Sequence, residues 1–117
     1  MSKIESYKDL IVWQKGIELV KIIYKLTQGL PKEEKFGLID QMRRCSVSVP
    51  SNIAEGWGRG SKANYSNFLK IARGSLLELE TQLIICKELN LLKNLDSVFA
   101  LLEEESKMLN SLLSKLK

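Results

Sequence analysis

Residues 61–89, SKANYSNFLKIARGSLLELETQLIICKEL, decide the fold class of this chain. Apolar side chains recur along the stretch at a spacing close to 3.5 residues, which is typical of a helix packed against other helices. Ser61 is a suitable N-cap before the pattern, and Asn90 can end it. We therefore predict one long helix over about residues 62–89. Its apolar positions are Tyr65, Phe68, Ala72, Leu76, Leu79, Leu83 and Cys86.

Three further segments with helical spacing lie on the two sides of this long helix. They span about residues 7–28, 32–55 and 95–116. Pro50 lies inside the second of them, where its missing N–H predicts a kink or a short break. No segment shows the alternation of apolar and polar residues that is typical of a strand. We predict an all-α fold, an antiparallel up-down-up-down four-helix bundle that forms a single domain over residues 1–117.

Composition excludes several classes of function. The 117 residues include no histidine and only two cysteines. Triads, proton relays and metal sites that depend on imidazole are therefore excluded, and two cysteines are too few for a zinc site or a disulfide scaffold. Glu103, Glu104 and Glu105 are consecutive, so a helix points them in three directions rather than pairing them. We predict a protein that is not an enzyme and that needs no cofactor or metal.

The two cysteines, Cys45 and Cys86, are expected to remain free thiols in the core. If the second and third helices fold back about Gly58, the two side chains are separated by a distance on the order of 20 Å. A disulfide cannot span that distance.

The sequence indicates a cytoplasmic protein without a membrane partner. Residues 1–6 (MSKIES) lack the apolar core of a secretory signal. No apolar run approaches the length of a membrane-spanning helix.

The first helix carries more apolar surface than one bundle core needs. Leu10, Trp13, Ile17, Val20 and Tyr24 cover one side of it at about 100° per residue. The nearly opposite side is also apolar, and only one of the two can face the core. We predict that the second side contacts another copy of the chain; the alternative is that the N-terminal segment folds back over it. The predicted interface residues are Leu19, Ile22, Ile23 and Leu26.

A mild basic bias favours anionic partners. The net charge is +4, and the pI is near 9.1. We predict a basic track near one end of the hairpin of the second and third helices, which binds RNA or DNA. The alternative is a solvated surface with interhelical ion pairs, such as Arg43 or Arg44 with Glu78, worth at most about 1 kcal/mol each when exposed. The candidate nucleic-acid-binding residues are Arg43, Arg44, Arg59, Lys62, Lys70 and Arg73.

A glycine-rich turn, GWGRGSK at residues 56–62, resembles a phosphate loop in composition. A nucleotide-hydrolysing loop has Gly-Lys-Ser/Thr after a strand, whereas this turn has Ser-Lys after a helix. Nucleotide hydrolysis is therefore not predicted. Two interpretations stay open: a flexible helix–helix turn, or a phosphate site formed by Arg59, Lys62 and the free amides at the start of the next helix.

Two central stretches and the opening segment resemble one protein family. They are SVSVPSNIAEG at residues 46–56, FLKIARGSLLELE at residues 68–80 and YKDLIVWQK at residues 7–15. Together they resemble the four-helix-bundle proteins encoded within intervening sequences of bacterial 23S ribosomal RNA genes. The resemblance covers roughly residues 7–92 and implies a ring-like homopentamer without established enzymatic activity.

The resemblance also implies two kinds of partner. A related branch, the accessory protein of diversity-generating retroelements, is a basic pentamer that binds nucleic acid and a reverse transcriptase. The chain is thus expected to bind RNA or DNA, or else to act as a scaffold for a protein such as a reverse transcriptase. Fold is transferred by such a resemblance more safely than function.

The motif residues have a structural interpretation as well. Small residues on the second and third helices allow the two helices to approach closely. Asn52 and Glu55 lie beside the turn, where they can bond amides at the opening of the third helix. The motif residues expected to be structural are Pro50, Asn52, Glu55, Gly56, Gly74, Ser75 and Glu78.

Overall fold

The computed structural model describes residues 3–117, and these residues form four α-helices and no strand. The helices are α1 (Ile11–Thr27), α2 (Asp40–Gly58), α3 (Lys62–Glu88) and α4 (Asp96–Lys115). They form an elongated body of 43 × 26 × 21 Å. The predicted all-α fold with four helices is confirmed; residues 1 and 2 of the predicted domain lie outside the described residues. No helix of the described part is long and apolar enough to cross a membrane.

The first helix begins later than predicted because a separate turn precedes it. Tyr7–Asp9 form a 3₁₀ turn, capped by the Ser6 side chain, while the Asp9 carboxylate accepts hydrogen bonds from the Glu5 and Ser6 amides. Leu10 is extended and interrupts the helical path. α1 therefore starts at Ile11 rather than near residue 7.

The connection between α1 and α2 is also less regular than predicted. Lys32–Glu34 form a 3₁₀ turn and Lys35–Ile39 a π turn, in which Gly37 has non-helical angles of φ −106° and ψ −108°. The apolar spacing predicts that this segment is already part of the second helix, from about residue 32. The spacing alone did not reveal that the backbone widens at Gly37, and the regular helix begins only at Asp40.

The long helix α3 ends as its sequence predicts. Ser61 is its N-cap, and the Ser61 hydroxyl accepts a hydrogen bond from the Asn64 amide at 3.2 Å. Asn90 has a left-handed backbone (φ 57°) after the last turn, and Asn94 has another (φ 58°) before α4. Asparagine tolerates this conformation better than most residues. Both ends of the α3–α4 connection are therefore set by local sequence.

Helices α2 and α3 pack antiparallel along their whole length. The side chain of Met42 contacts Cys86, and further along α2 Ser48 contacts Ser75. Near the end of α2, a Cβ at Gly56 would lie 2.7 Å from the Phe68 Cβ. A side chain at this position would push the helices apart, so glycine is what permits their close approach. α2 itself continues through its internal proline without a break.

Both cysteines are buried free thiols, as predicted. Cys45 contacts Gln82, which lies one helical turn before Cys86, so the two thiols are closer together than predicted. The Cys45 sulfur accepts a hydrogen bond from Gln82 at 3.7 Å, and the Cys86 thiol donates to Met42 at 3.9 Å. Because α2 continues as a helix to Gly58, the hairpin folds back later than assumed and the register shifts. Burial raises the pKa of Cys45 to about 11 and also raises that of Cys86, so neither is a reactive thiolate.

The face of α1 that was predicted to be an oligomer interface is instead part of the core. Leu19 and Ile23 have no exposed surface, and Ile22 and Leu26 are half-buried against the core. The prediction was wrong because it counted the apolar residues on each face and did not consider which face can pack closely against the other helices. Gly16 lies on this face, where a Cβ would be 3.2 Å from both Pro50 and Glu105. The other face, which carries Trp13 and Tyr24, is left at the surface, where Tyr7 packs edge-on against Trp13.

Candidate nucleic-acid interface

The six basic residues predicted to form one track lie at different ends of the bundle. Arg43 and Arg44 are in the first turns of α2, whereas Arg59 follows its last residue. Fifteen residues of helix separate them, which is about 22 Å. The prediction of a continuous track over these residues was therefore wrong. Each of the arginines has its own partners.

Arg43 links α2 to the end of α1. Its Nε donates a hydrogen bond to the Thr27 hydroxyl at 2.9 Å, and its guanidinium lies 4.6 Å from the centre of the Tyr24 ring. Its Nη2 also donates to the Tyr24 carbonyl at 3.4 Å. A cation beside the last carbonyls of a helix also interacts favourably with the helix dipole. Arg43 is thus held in place by α1.

The other predicted cations of α2 and α3 do not contact one another and have different surroundings. Arg44 pairs with Asp40 on its own helix, with 3.1 Å between Nε and the carboxylate. Arg73 donates to the Asn110 side chain at 3.1 Å and so connects α3 to α4. Lys70 is exposed on α3. Neither predicted interhelical ion pair with Glu78 forms among the described residues.

The turn between α2 and α3 presents two cations at the start of a long helix. Arg59 pairs with Glu55 at 3.3 Å, and its guanidinium lies 5.0 Å from the centre of the Phe68 ring. Gly60 has φ 80°, which leads the chain into the N-cap, and Lys62 is exposed. The amides of the first helical turn have no intrahelical acceptor. This turn can therefore offer N–H groups and cations to an anion.

Further cations lie at the same end of the bundle. The opening segment meets the end of α4 there, since Asp9 and Lys115 line one cleft. Of the acids at this end, Asp9 accepts backbone hydrogen bonds, Glu55 pairs with Arg59, and Glu5 is exposed. We name this region the basic end and define it by the exposed residues Lys3, Lys8, Arg59, Lys62, Lys115 and Lys117.

A comparison with protein families identifies the chain. The family model described as the 23S rRNA-intervening sequence protein matches residues 8–111. The chain belongs to that family. The resemblance seen in the motifs is thereby confirmed and extends into α4. No curated protein matches the chain.

The family motif, residues 46–56 and 68–80, holds α2 against α3. The hydroxyls of Ser48 and Ser75 share a hydrogen bond of 2.8 Å. Asn52 Nδ2 donates to the Ser48 carbonyl at 2.7 Å and to the Ser48 hydroxyl at 2.8 Å. Asn52 and Glu55 thus bond within α2 and its turn, not to the opening amides of α3 as predicted. Asn52 instead orients the serine that contacts α3.

Not every motif residue lies between the two helices. Pro50 and Gly56 are buried in helix contacts, whereas Gly74 faces outward, and a Cβ at this position would meet no atom within 4 Å. Glu78 is exposed, and its charge adds to the burial that raises the pKa of Cys45. Gly74 therefore does not bring α3 close to α2, contrary to the prediction.

The apolar surfaces that stay open among residues 3–117 include one between α1 and α2 and one on α3. The first is a groove of about 310 Å³ between α1 and α2, whose lining includes Trp13, Ile17 and Val47. We call it the α1–α2 groove. The second, the outer face of α3, surrounds Gly74. Its exposed apolar residues are Ile71, Leu77, Ile84, Ile85 and Leu89.

One buried acid was not predicted from the sequence. Glu105 has no exposed surface, and its carboxyl group has no hydrogen-bond partner among the described residues. Burial raises its pKa to about 8, the neighbouring Glu104 contributes to this rise, and Lys15 opposes it. The available signal was its position three residues after Leu102 and four before Leu109, within the apolar stripe of α4.

The described residues contain no cluster of acids and cysteines that could hold a metal.

Proposed function

We propose that this chain is a non-enzymatic, cytoplasmic homo-oligomer that binds RNA or DNA phosphates through its basic end. The observation that supports the proposal is the excess of exposed cations at that end, gathered around the open start of a 27-residue helix. Lysine and arginine contacts to phosphates release counterions and need no base-specific geometry.

Self-association is supported by the two apolar surfaces. The α1–α2 groove and the outer face of α3 lie on different sides of the protomer. When one surface of a copy contacts the other surface of the next copy, the interface is heterologous, and such an interface closes into a ring if the rotation permits. The family resemblance favours a ring of five, which would carry a net charge of about +20 and add many weak contacts together.

A second candidate function is a scaffold for a protein partner such as a reverse transcriptase. The observation that favours it is the α1–α2 groove, because a groove whose lining includes Trp13 suits an apolar side chain from another protein. The two functions differ in their response to salt. Binding to phosphates weakens steeply between about 50 and 200 mM salt, whereas apolar docking changes little.

The test is a fluorescence titration of the full chain with a structured RNA at several salt concentrations. The double variant Arg59→Ala with Lys62→Ala should weaken binding and lower the slope of log K against log salt by roughly 1 to 2. The matched control is Lys21→Ala with Lys25→Ala, which removes the same charge from exposed positions on α1. Equal losses in both double variants would argue against a localised site. Absence of binding by the wild type at about 50 mM salt would leave the scaffold function in its place.

A further inference from the structure

A second cationic region lies at the opposite end of the bundle, in the connection between α1 and α2. A cleft of about 380 Å³ opens there, and the charged residues that line it are Lys32, Lys35 and Arg43. Within residues 3–117, no acidic side chain lines this cleft. Its chemistry therefore suits an anion.

Arg43 is fixed in this cleft before any ligand arrives. The Thr27 hydroxyl, which accepts from Arg43, is fully buried and donates in turn to the Ile23 carbonyl at 2.8 Å. No carboxylate pairs with Arg43 in the described part of the chain. A guanidinium that is held by neutral partners retains its charge and its remaining N–H groups for a phosphate.

An exposed aromatic ring stands next to the cleft. Phe36 is 87% exposed, and the Lys35 ammonium lies 5.5 Å from the centre of its ring. The π turn around Gly37 carries Phe36 outward instead of into the core. Glu34 turns toward Gly37 and Glu33 is exposed, and neither lines the cleft. The ring is therefore exposed beside Lys35, which also lines the cleft.

We propose that this connection is a binding site for unpaired nucleotides of single-stranded nucleic acid. A backbone phosphate occupies the cleft between Lys32, Lys35 and Arg43, and the adjacent base stacks on Phe36. Cations that follow a backbone, combined with an aromatic ring for the bases, are the usual elements of single-strand recognition. The site rests on the proposed nucleic-acid function but is separate from the basic end, which contacts phosphates without reading bases.

The test uses the full chain and an unpaired oligonucleotide that contains the fluorescent base 2-aminopurine. Stacking on Phe36 should quench the fluorescence of the wild-type complex. Phe36→Leu, which retains an apolar side chain without a ring, should lose the quenching and bind at least about fivefold more weakly. Phe36→Trp should retain both. Ile11→Ala is the control. It removes a side chain that is 59% exposed at the start of α1, and it should change neither the quenching nor the affinity.

A duplex of the same sequence separates this site from the basic end. Phe36→Leu should leave duplex binding unchanged, while Arg59→Ala with Lys62→Ala should weaken it. If Phe36→Leu binds and quenches the single strand like wild type, the stacking site is overturned and the basic end stands. If Phe36→Leu behaves like wild type and only Phe36→Ala loses affinity, the residue is an apolar contact and the stacking site is likewise overturned. If the wild type binds neither nucleic acid, both proposals fail.

Discussion

Polar side chains meet differently in two regions of this bundle, a half-buried one between α2 and α3 and a buried one between α4 and α1. In the first region the hydroxyls of Ser48 and Ser75 bond to each other, and Asn52 bonds to Ser48. In the second region Glu105 lies against Gly16 without a hydrogen-bond partner among the described residues. The serine and asparagine side chains of the first region are thus paired, whereas the Glu105 carboxyl group of the second is not.

The difference shows how a buried polar group can specify packing in two ways. A matched pair such as Ser48 and Ser75 favours one register of α2 on α3, because any slip breaks the hydrogen bond between the two hydroxyls. A lone carboxyl group is accepted only in its neutral form, since burial of an unpaired charge is strongly unfavourable. The α1–α4 contact therefore depends on proton concentration, whereas the hydrogen bonds of Ser48, Ser75 and Asn52 involve no titratable group.

The largest expected effect concerns Glu105. Its pKa in the folded chain is about 8, above the ordinary value of 4.5. The folded state therefore holds the proton more tightly than the unfolded state between these two values. The contribution of the protonated Glu105 to the free energy of unfolding is complete below about pH 4.5 and declines as pH rises to about 8. The total loss is about 5 kcal/mol in the free energy of unfolding.

The variant that checks this is Glu105→Gln, which places a neutral group of the same shape in the core. Urea unfolding at several pH values should show that Glu105→Gln removes most of the decline between about pH 5 and 8 and is more stable than wild type at about pH 8. Glu103→Gln is the matched control, since Glu103 is exposed and pairs with Lys107 at 3.3 Å. A wild-type stability that stays level over this pH range would contradict the buried neutral carboxyl group.

A smaller effect is expected at the close contact between α2 and α3. Gly56→Ala places a Cβ 2.7 Å from the Phe68 Cβ, which is anchored directly to the α3 backbone. The helices must separate, so we expect a loss of about 1–3 kcal/mol in the free energy of unfolding. Gly58→Ala is the control, because a Cβ there meets nothing within 4 Å. If both variants lower the midpoint of thermal unfolding equally, the close approach at Gly56 is not what stabilises this interface.

The periodicity of the sequence predicted the helices better than it predicted the contacts between them. The four helices and the N-cap at Ser61 follow from local spacing and capping chemistry, which depend on neighbouring residues only. The core face of α1 depends on how Gly16 fits against Pro50 and Glu105. Those residues are distant in sequence, so counting apolar residues on α1 selected the wrong face.

The candidate site was predictable only in part for a similar reason. Residue type suggested that Arg43 and Arg59 bind phosphates, but whether an arginine is free depends on its partners in the fold. Arg43 bonds Thr27 from the preceding helix, and Arg59 pairs with Glu55. Phe36 was missed because helical spacing placed it inside a helix, whereas the π turn exposes it.

The smallest expected effect uses the other glycine of the motif. Gly74 lies in the middle of α3, and a Cβ there meets nothing within 4 Å. Alanine is a better helix former than glycine by about 1 kcal/mol, so Gly74→Ala should stabilise the isolated protomer by that amount. Chemical unfolding at a protein concentration low enough to give monomers measures this gain.

The same variant should weaken self-association if a neighbouring copy approaches the outer face of α3. Glycine lets two helix backbones approach closely, and a methyl group at that point keeps them apart. We therefore expect Gly74→Ala to raise protomer stability while it shifts the assembly toward smaller species in light scattering. Gly58→Ala, also at an open position, should leave the mass unchanged. A more stable protomer with an unchanged assembly would place the subunit contact away from the outer face of α3.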